Sequence, residues 1–393
     1  MRFNYKTVSS LVLASTILIT VGCSKDEEVI PVAVTPAASV TTPAYTVPTT
    51  YAFVDAANVT TVNFNGQQQR LEMLTEMVTV MKTGNTVGMT VSSSTLKDMY
   101  KNGNGYTWID DNIPLLGMTG SSKQLKSKTA LGDAGVQDLF DSYIDSLSSL
   151  SVGSTSNSTE TYGVSGVWTN GTKNYLMAEN GYEYTQLIEK GLMCAVFMNQ
   201  ITSNYLQAVD SDDNTTLLSG KNYTEMQHHW DEAYGYFTSE FDYPLNGTDR
   251  FWGKYANGRE NILQSSTKLA TAFRTGRAAI DNSDYTTRDA QITIILNEME
   301  KVCAGTAIHY LIEARNNIAD ATLKNHQLSE AMAFVEGLKY SQKTTDGTGI
   351  SLADINTALG YFSNFETVSI AQLNNAIDLI ATGTGLFDVR ASL

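Results

Sequence analysis

Residues 182–206, YEYTQLIEKGLMCAVFMNQITSNYL, are apolar nearly all round a helix, with Leu187, Ile188, Gly191, Cys194, Ala195, Met198 and Ile201 falling on every side. A helix without a continuous polar face belongs in the centre of a bundle. Glu183, Gln186 and Lys190 recur at helical spacing within it and leave one polar strip. Buried polar groups must find partners. The strip therefore either faces a second helix rich in histidine or reaches solvent at one end of the bundle.

The flanking segments share the 3.6-residue period. Gln67–Lys82 aligns Leu71, Leu74, Val78 and Met81 and stops at Thr83-Gly84-Asn85. Val136–Leu150 aligns Leu139, Tyr143 and Leu147. Gly258–Ile280 and Tyr285–Ile318 are long helical patterns, the second with Ile292, Ile295, Leu296, Met299, Cys303 and Tyr310 on its core face. Asn325–Lys343, Ser351–Tyr361 and Ser369–Ala381 complete the set, with Ser351 and Ser369 as N-caps. Loops fall at 83–90, 101–107, 117–135, 151–174 and 210–221. The expected fold is all-α, a multi-helix bundle of about nine or ten helices. The Ser/Thr/Gly-rich stretch 151–174 is either a seam between two packed sub-bundles or a long surface loop.

The chain starts differently. Arg2 and Lys6 precede the apolar run Leu11–Val21, which ends at Gly22-Cys23. A basic segment, an apolar stretch too short to span a bilayer and a small residue before the cut describe a signal peptide, residues 1–22. Cys23 after Gly22 resembles the acylated first residue of a bacterial lipoprotein, although Thr20 stands where such signals usually carry Leu. Ser24-Lys25-Asp26-Glu27-Glu28 resembles an export signal to the outer face of the outer membrane; a solvated tether that leaves the protein facing the periplasm is the alternative. Residues 29–50 hold four of the six prolines and extend the acylated spacer, 23–50, to a helical domain from Tyr51 to Leu393. The membrane is thus an expected partner through the lipid anchor. Loss of residues 1–22 removes two basic residues and no acid, leaving 24 basic against 41 acidic and a net charge of −17. So acidic a body argues against nucleic acid as a partner.

Glu225–Phe237, EMQHHWDEAYGYF, holds two of the four histidines. As a helix it sets an apolar stripe of Trp230, Tyr234, Phe237 and Phe241 against a polar one of Glu225, His229, Glu232 and Tyr236, with His228 between them. Imidazole and carboxylate at this spacing can hold iron or another divalent metal. Equally, the imidazoles can simply be fixed by hydrogen bonds to neighbouring acids. His309 and Glu313, one turn apart with Asn316, form a second pair that either supplies further ligands or makes its own hydrogen bond. His326 lies at a helix start without such company. Arg274 and Arg277 could clamp an anion, or pair with the chain's own acids. Asp210–Asn214 has the spacing of a calcium loop, but Thr215 replaces its glycine and Lys221 its glutamate, so this reads as a turn. Cys194 and Cys303 read as buried small hydrophobes.

No zinc-protease helix motif, nucleophile elbow, phosphate loop or paired Cys-x-x-Cys occurs. Tyr51–Asp55, Gly181–Tyr184, His228–Ala233, Phe251–Tyr255 and Phe273–Ile280 together resemble the bacterial lipoprotein family known as domain of unknown function 4856, of Bacteroidota type. The resemblance implies a setting alongside imelysin-type proteins and outer-membrane receptors that suggests iron acquisition. Imelysins carry Gly-x-His-x-x-Glu; here Gln227 replaces the glycine before His229 and Glu232, so no imelysin site is carried over. The expected function is a non-enzymatic, outer-membrane-anchored binding or accessory component in iron or haem uptake. The alternatives are an imelysin-like metal-dependent peptidase and a structural partner of an outer-membrane receptor.

Overall fold

The computed structural model describes residues 44–393 apart from 104, 110–116, 155–156, 159 and 246–248. The signal segment, Cys23 and most of the spacer lie outside the described residues. Tyr45–Leu393 form one compact unit, which takes in Tyr45 upstream of the expected start at Tyr51. Tyr45 is tied down early, its hydroxyl donating to Asp284 Oδ2 (3.0 Å).

The architecture is helical, as the periodicity predicts. α1 (Asn65–Lys82), α2 (Ser93–Lys101) and α3 (Ala134–Gly153) lead to α4 (Tyr184–Leu192). α4 continues through wider π-helical turns over Met193–Met198 and Gln200–Tyr205 into α5 (Leu206–Ala208). Side chains occupy the carbonyls that these wide turns present. Trp252 Nε1 donates to the Met193 carbonyl (3.0 Å), and Thr202 Oγ1 to that of Met198 (2.9 Å). α6 (Glu225–Phe237) packs on this π segment; it begins with a capping box in which Thr224 and Gln227 satisfy each other's backbone amides.

Gly258–Ile280, expected as one helix, is broken: α7 (Phe251–Gly258) ends where it should begin, and α8 (Glu260–Leu263) and α9 (Ser265–Asp281) share the rest. The break has a cause in Glu260, whose Oε2 accepts from the Ser266 amide (2.9 Å) and hydroxyl (2.5 Å) and so caps α9. α10 (Tyr285–Asn316) runs between α9 and α11 (Ala321–Gly337). α11 begins before the expected Asn325 because Asp320 caps it through the Leu323 amide (2.9 Å). α12 (Gln342–Asp346), α13 (Leu352–Tyr361) and α14 (Ile370–Gly383) finish the order, the last two capped by Ser351 and Ser369 as expected.

Residues 151–174 fold into the same unit rather than dividing it. They carry β1 (Asn157–Ser158) and β2 (Gly166–Thr169); β2 pairs antiparallel with β3 (Asn174–Met177) and parallel with β1. Burial of Val167, Trp168, Leu176 and Met177 drives this small sheet, and its strands are too short for an alternation to stand out in sequence. Close approach elsewhere depends on glycine. A Cβ on Gly337 would sit 2.3 Å from Cys194 Sγ, and one on Gly276 2.1 Å from the Trp230 ring. Cys194 and Cys303 are free and buried. No helix among the described residues is long and apolar enough to cross a membrane.

Candidate functional site

α6 buries Trp230, Tyr234 and Phe237 completely, whereas Phe241 lies beyond its end and is exposed. Tyr236, assigned by spacing to the polar stripe, is fully buried and stacks on Phe197 (5.5 Å). His229 Nδ1 lies 2.8 Å from Asp212 Oδ2, so the acidic turn serves as an anchor for this imidazole. His228 Nε2 is 3.9 Å from Glu232 Oε1, and its ring stacks on Tyr223. Burial holds His228 below the ordinary imidazole range. Glu232 accepts from Gln67 Nε2 (2.7 Å), and Glu225 is exposed.

His309 does not join them. Its Nδ1 lies 2.7 Å from the Leu393 carbonyl, burial and Arg259 lower its proton affinity, and Glu313 is half-buried one turn on. Among the described residues no group of three or more His, Cys, Asp or Glu side chains is gathered to hold a metal ion. The arginines separate as well. Arg277 is wholly buried: Nε donates to Asp231 Oδ1 (3.0 Å), Nη2 to Thr61 Oγ1 (3.1 Å), and Nη1 pairs with Asp281. It is therefore closed to any external anion and answers the chain's own acids. Arg274 is half-buried, with Nη1 3.5 Å from the Tyr243 carbonyl.

The polar strip of α4 meets α11, not α6. Glu183 Oε2 lies 2.5 Å from His326 Nδ1, and His326 Nε2 3.6 Å from Glu330 Oε2. Glu330 Oε1 is 3.5 Å from Lys190 Nζ, which donates to Glu189 Oε1 (2.7 Å). Far from lacking company, His326 is the histidine with two carboxylates, and Tyr175 stacks on its ring (4.0 Å). Burial works against its charge, but Glu183 and Glu330 outweigh that and raise its proton affinity. Burial likewise pushes Glu330 up, opposed by Lys190 and His326.

This ionic chain ends at a cavity of about 280 Å³. α1 contributes Thr75, Val78, Thr79 and Lys82; α4 contributes Glu189 and Lys190; Arg250, Phe251, Lys254 and Tyr255 come from the start of α7. Lys190 lies 5.6 Å over the Tyr255 ring. Arg250 Nη1 donates to Glu72 Oε2 (2.5 Å) and Thr75 Oγ1 (3.0 Å), while its buried Nη2 has no hydrogen-bond partner among the described residues. Glu189 Oε2 is also buried without one among the described residues, with Lys82 Nζ 3.8 Å away. Burial would raise Glu189, but Lys190, Lys82 and Lys254 hold it below the ordinary carboxylate range. Four cations and one carboxylate thus line a half-apolar cavity in a chain of net charge −15.

The family model described as Domain of unknown function (DUF4856) matches residues 48–383. The chain belongs to this family. No curated protein and no solved structure matches it. Two stretches that carry the DUF4856 resemblance, Gly181–Tyr184 and Phe251–Tyr255, fall on the ionic chain and the cavity wall. The signals in sequence are Lys190 on the polar strip of a largely apolar helix and Lys254 among the large aromatics of Phe251–Tyr255. Which helices would meet there, and that His326 would come to Glu183 over a separation of 143 residues, was not written in any local pattern.

Proposed function

We propose that this DUF4856 protein is a membrane-tethered, non-enzymatic binding protein whose ligand is a small anion held in the cavity between α1, α4 and α7. The observation that carries this is the convergence of Lys82, Lys190, Arg250 and Lys254 on one cavity in so acidic a body. A concave site with an apolar wall and a few converging polar groups is the usual form of a small-molecule site. Val78, Phe251 and Tyr255 provide that wall, and Arg250 brings a buried N–H that lacks a partner among the described residues. The Gly22-Cys23 start supports lipid anchoring, and the acidic run after Cys23 supports display at the outer membrane. The setting implied by the family resemblance supports a place as an accessory component in iron or haem acquisition, where chelating carboxylates are anions of suitable chemistry.

Calorimetric titration of the full chain with small aromatic carboxylates and sulfonates tests the site. Binding that weakens at least about tenfold in Lys254→Glu, with the helical signal and melting curve preserved, is expected. Equal binding by the wild type and this variant would sink the assignment.

A further inference from the structure

The anion site inherits a property from the chain of ionisable groups behind it. We infer that the cavity takes up its anion together with a proton, held on the Glu183–His326–Glu330 chain. This rests on the reading of the cavity as an anion site and adds its regulation.

The argument is one of shared partners. Lys190 of α4 both lines the cavity and reaches the chain's inner carboxylate, Glu330. His326 approaches Glu330 from the other side (3.6 Å) and Glu183 at 2.5 Å. The groups acting on this imidazole are Glu183 before α4, Glu330 on its own helix, Tyr175 on β3, stacked at 4.0 Å, and Lys190 of α4, whose charge opposes its protonation. Lys324 of α11 is turned to the Tyr162 ring instead (5.4 Å). With His326 protonated, Glu183, Glu330 and Glu189 face two cations, the imidazolium and Lys190. Without that proton, Lys190 alone must answer Glu330 and Glu189, and less of its field reaches the cavity. In surroundings this buried, one unit of charge acts more strongly than it would in water. An anion beside Lys190 therefore favours the protonated imidazole, and by reciprocity the proton favours the anion. Histidine is the side chain that makes such a change near neutral pH. Bound anion and proton enter and leave together, so the site loads in mildly acidic surroundings and empties in alkaline ones.

Benzenesulfonate is a suitable probe, because its charge is fixed across the range and its ten heavy atoms are few enough for this cavity. The full chain is titrated calorimetrically at about pH 6 and about pH 8, at equal ionic strength, beside His326→Gln. Binding is expected to weaken about fivefold or more on raising the pH in the wild type, and to stay at the weaker value in the variant. Wild-type binding that is present but flat with pH would overturn the linkage and leave the anion site standing. No binding at either pH would overturn both. Should His326→Gln fail to fold, the imidazole titration followed by NMR in the wild type decides. Its midpoint should rise on adding benzenesulfonate, and an unmoved midpoint refutes the coupling.

Discussion

Arg277, with none of its guanidinium exposed, sits over the Phe53 ring (5.0 Å) and holds Asp231, which also accepts from the Tyr51 hydroxyl (2.8 Å). Burial pushes Asp231 up to about 6 against the pull of Arg277, while the acids keep Arg277 firmly protonated. Arg277→Ala would leave that carboxylate buried without its cation, held by the Tyr51 hydroxyl. It is expected to cost about 3–5 kcal/mol of unfolding free energy, measured by denaturant titration. Arg274→Ala, at a half-buried position facing a carbonyl, is expected to cost under about 1 kcal/mol in the same measurement. At His229 the short contact to Asp212 makes a sharper test. His229→Ala and Asp212→Ala should be non-additive by about 0.5–3 kcal/mol in a double-mutant cycle. Additive losses would mean that the turn and α6 are energetically independent.

α7 and α9 owe their positions to single groups at their starts. Asp249 accepts from the Thr238 hydroxyl (2.6 Å) and the Arg250 amide (2.8 Å), and burial raises it to about 6. A carboxyl whose folded pKa lies above its unfolded value stabilises the fold while protonated, and that contribution disappears as pH rises through the folded value. Stability should therefore fall by about 2–3 kcal/mol from about pH 4 to above pH 6 on account of Asp249. Asp249→Asn should flatten this slope in urea titrations across that range. Gly276→Ala forces a methyl against Trp230 and is expected to cost about 1–3 kcal/mol in a thermal melt. The helices themselves were legible in sequence: the caps at Ser351 and Ser369 and the stops after Lys82 follow from local chemistry. The break at Gln264 was not, since nothing local announces that Glu260 will turn back to cap Ser266. The histidines of α6 stand out by composition, yet their nearest acids act as anchors. Lys190, beside Glu189, and His326, one turn before Glu330, gain their shared meaning only when α4 lies on α11.

Across the whole molecule, acid outweighs base while the cavity gathers cations, so the site's field should depend on the ionic medium. Reversing its rim with Lys82→Glu and Lys254→Glu together is expected to abolish benzenesulfonate binding, and salt should weaken it in the wild type. Titration read beside a melting curve separates loss of the site from loss of the fold. The helix behind this cavity has a further property. Its first half, α4, faces α11 and the cavity, and its second half faces α6. Between them lie the wide turns of Met193–Met198 and Gln200–Tyr205. A π turn holds one residue more than an α turn, so each extra residue re-phases everything beyond it by about 100°. The two halves are thus set against different neighbours by a count of residues rather than by their kinds. Substitutions in this segment leave that phase intact, whereas closing one wide turn to ordinary α geometry with every residue kept would swing the far half by about 100° away from α6, and deleting one residue as the turn closes would cancel that swing. Loss of one residue from a wide turn is therefore a length change that the packing on α6 should absorb, unlike loss of a residue from the regular turns of α4.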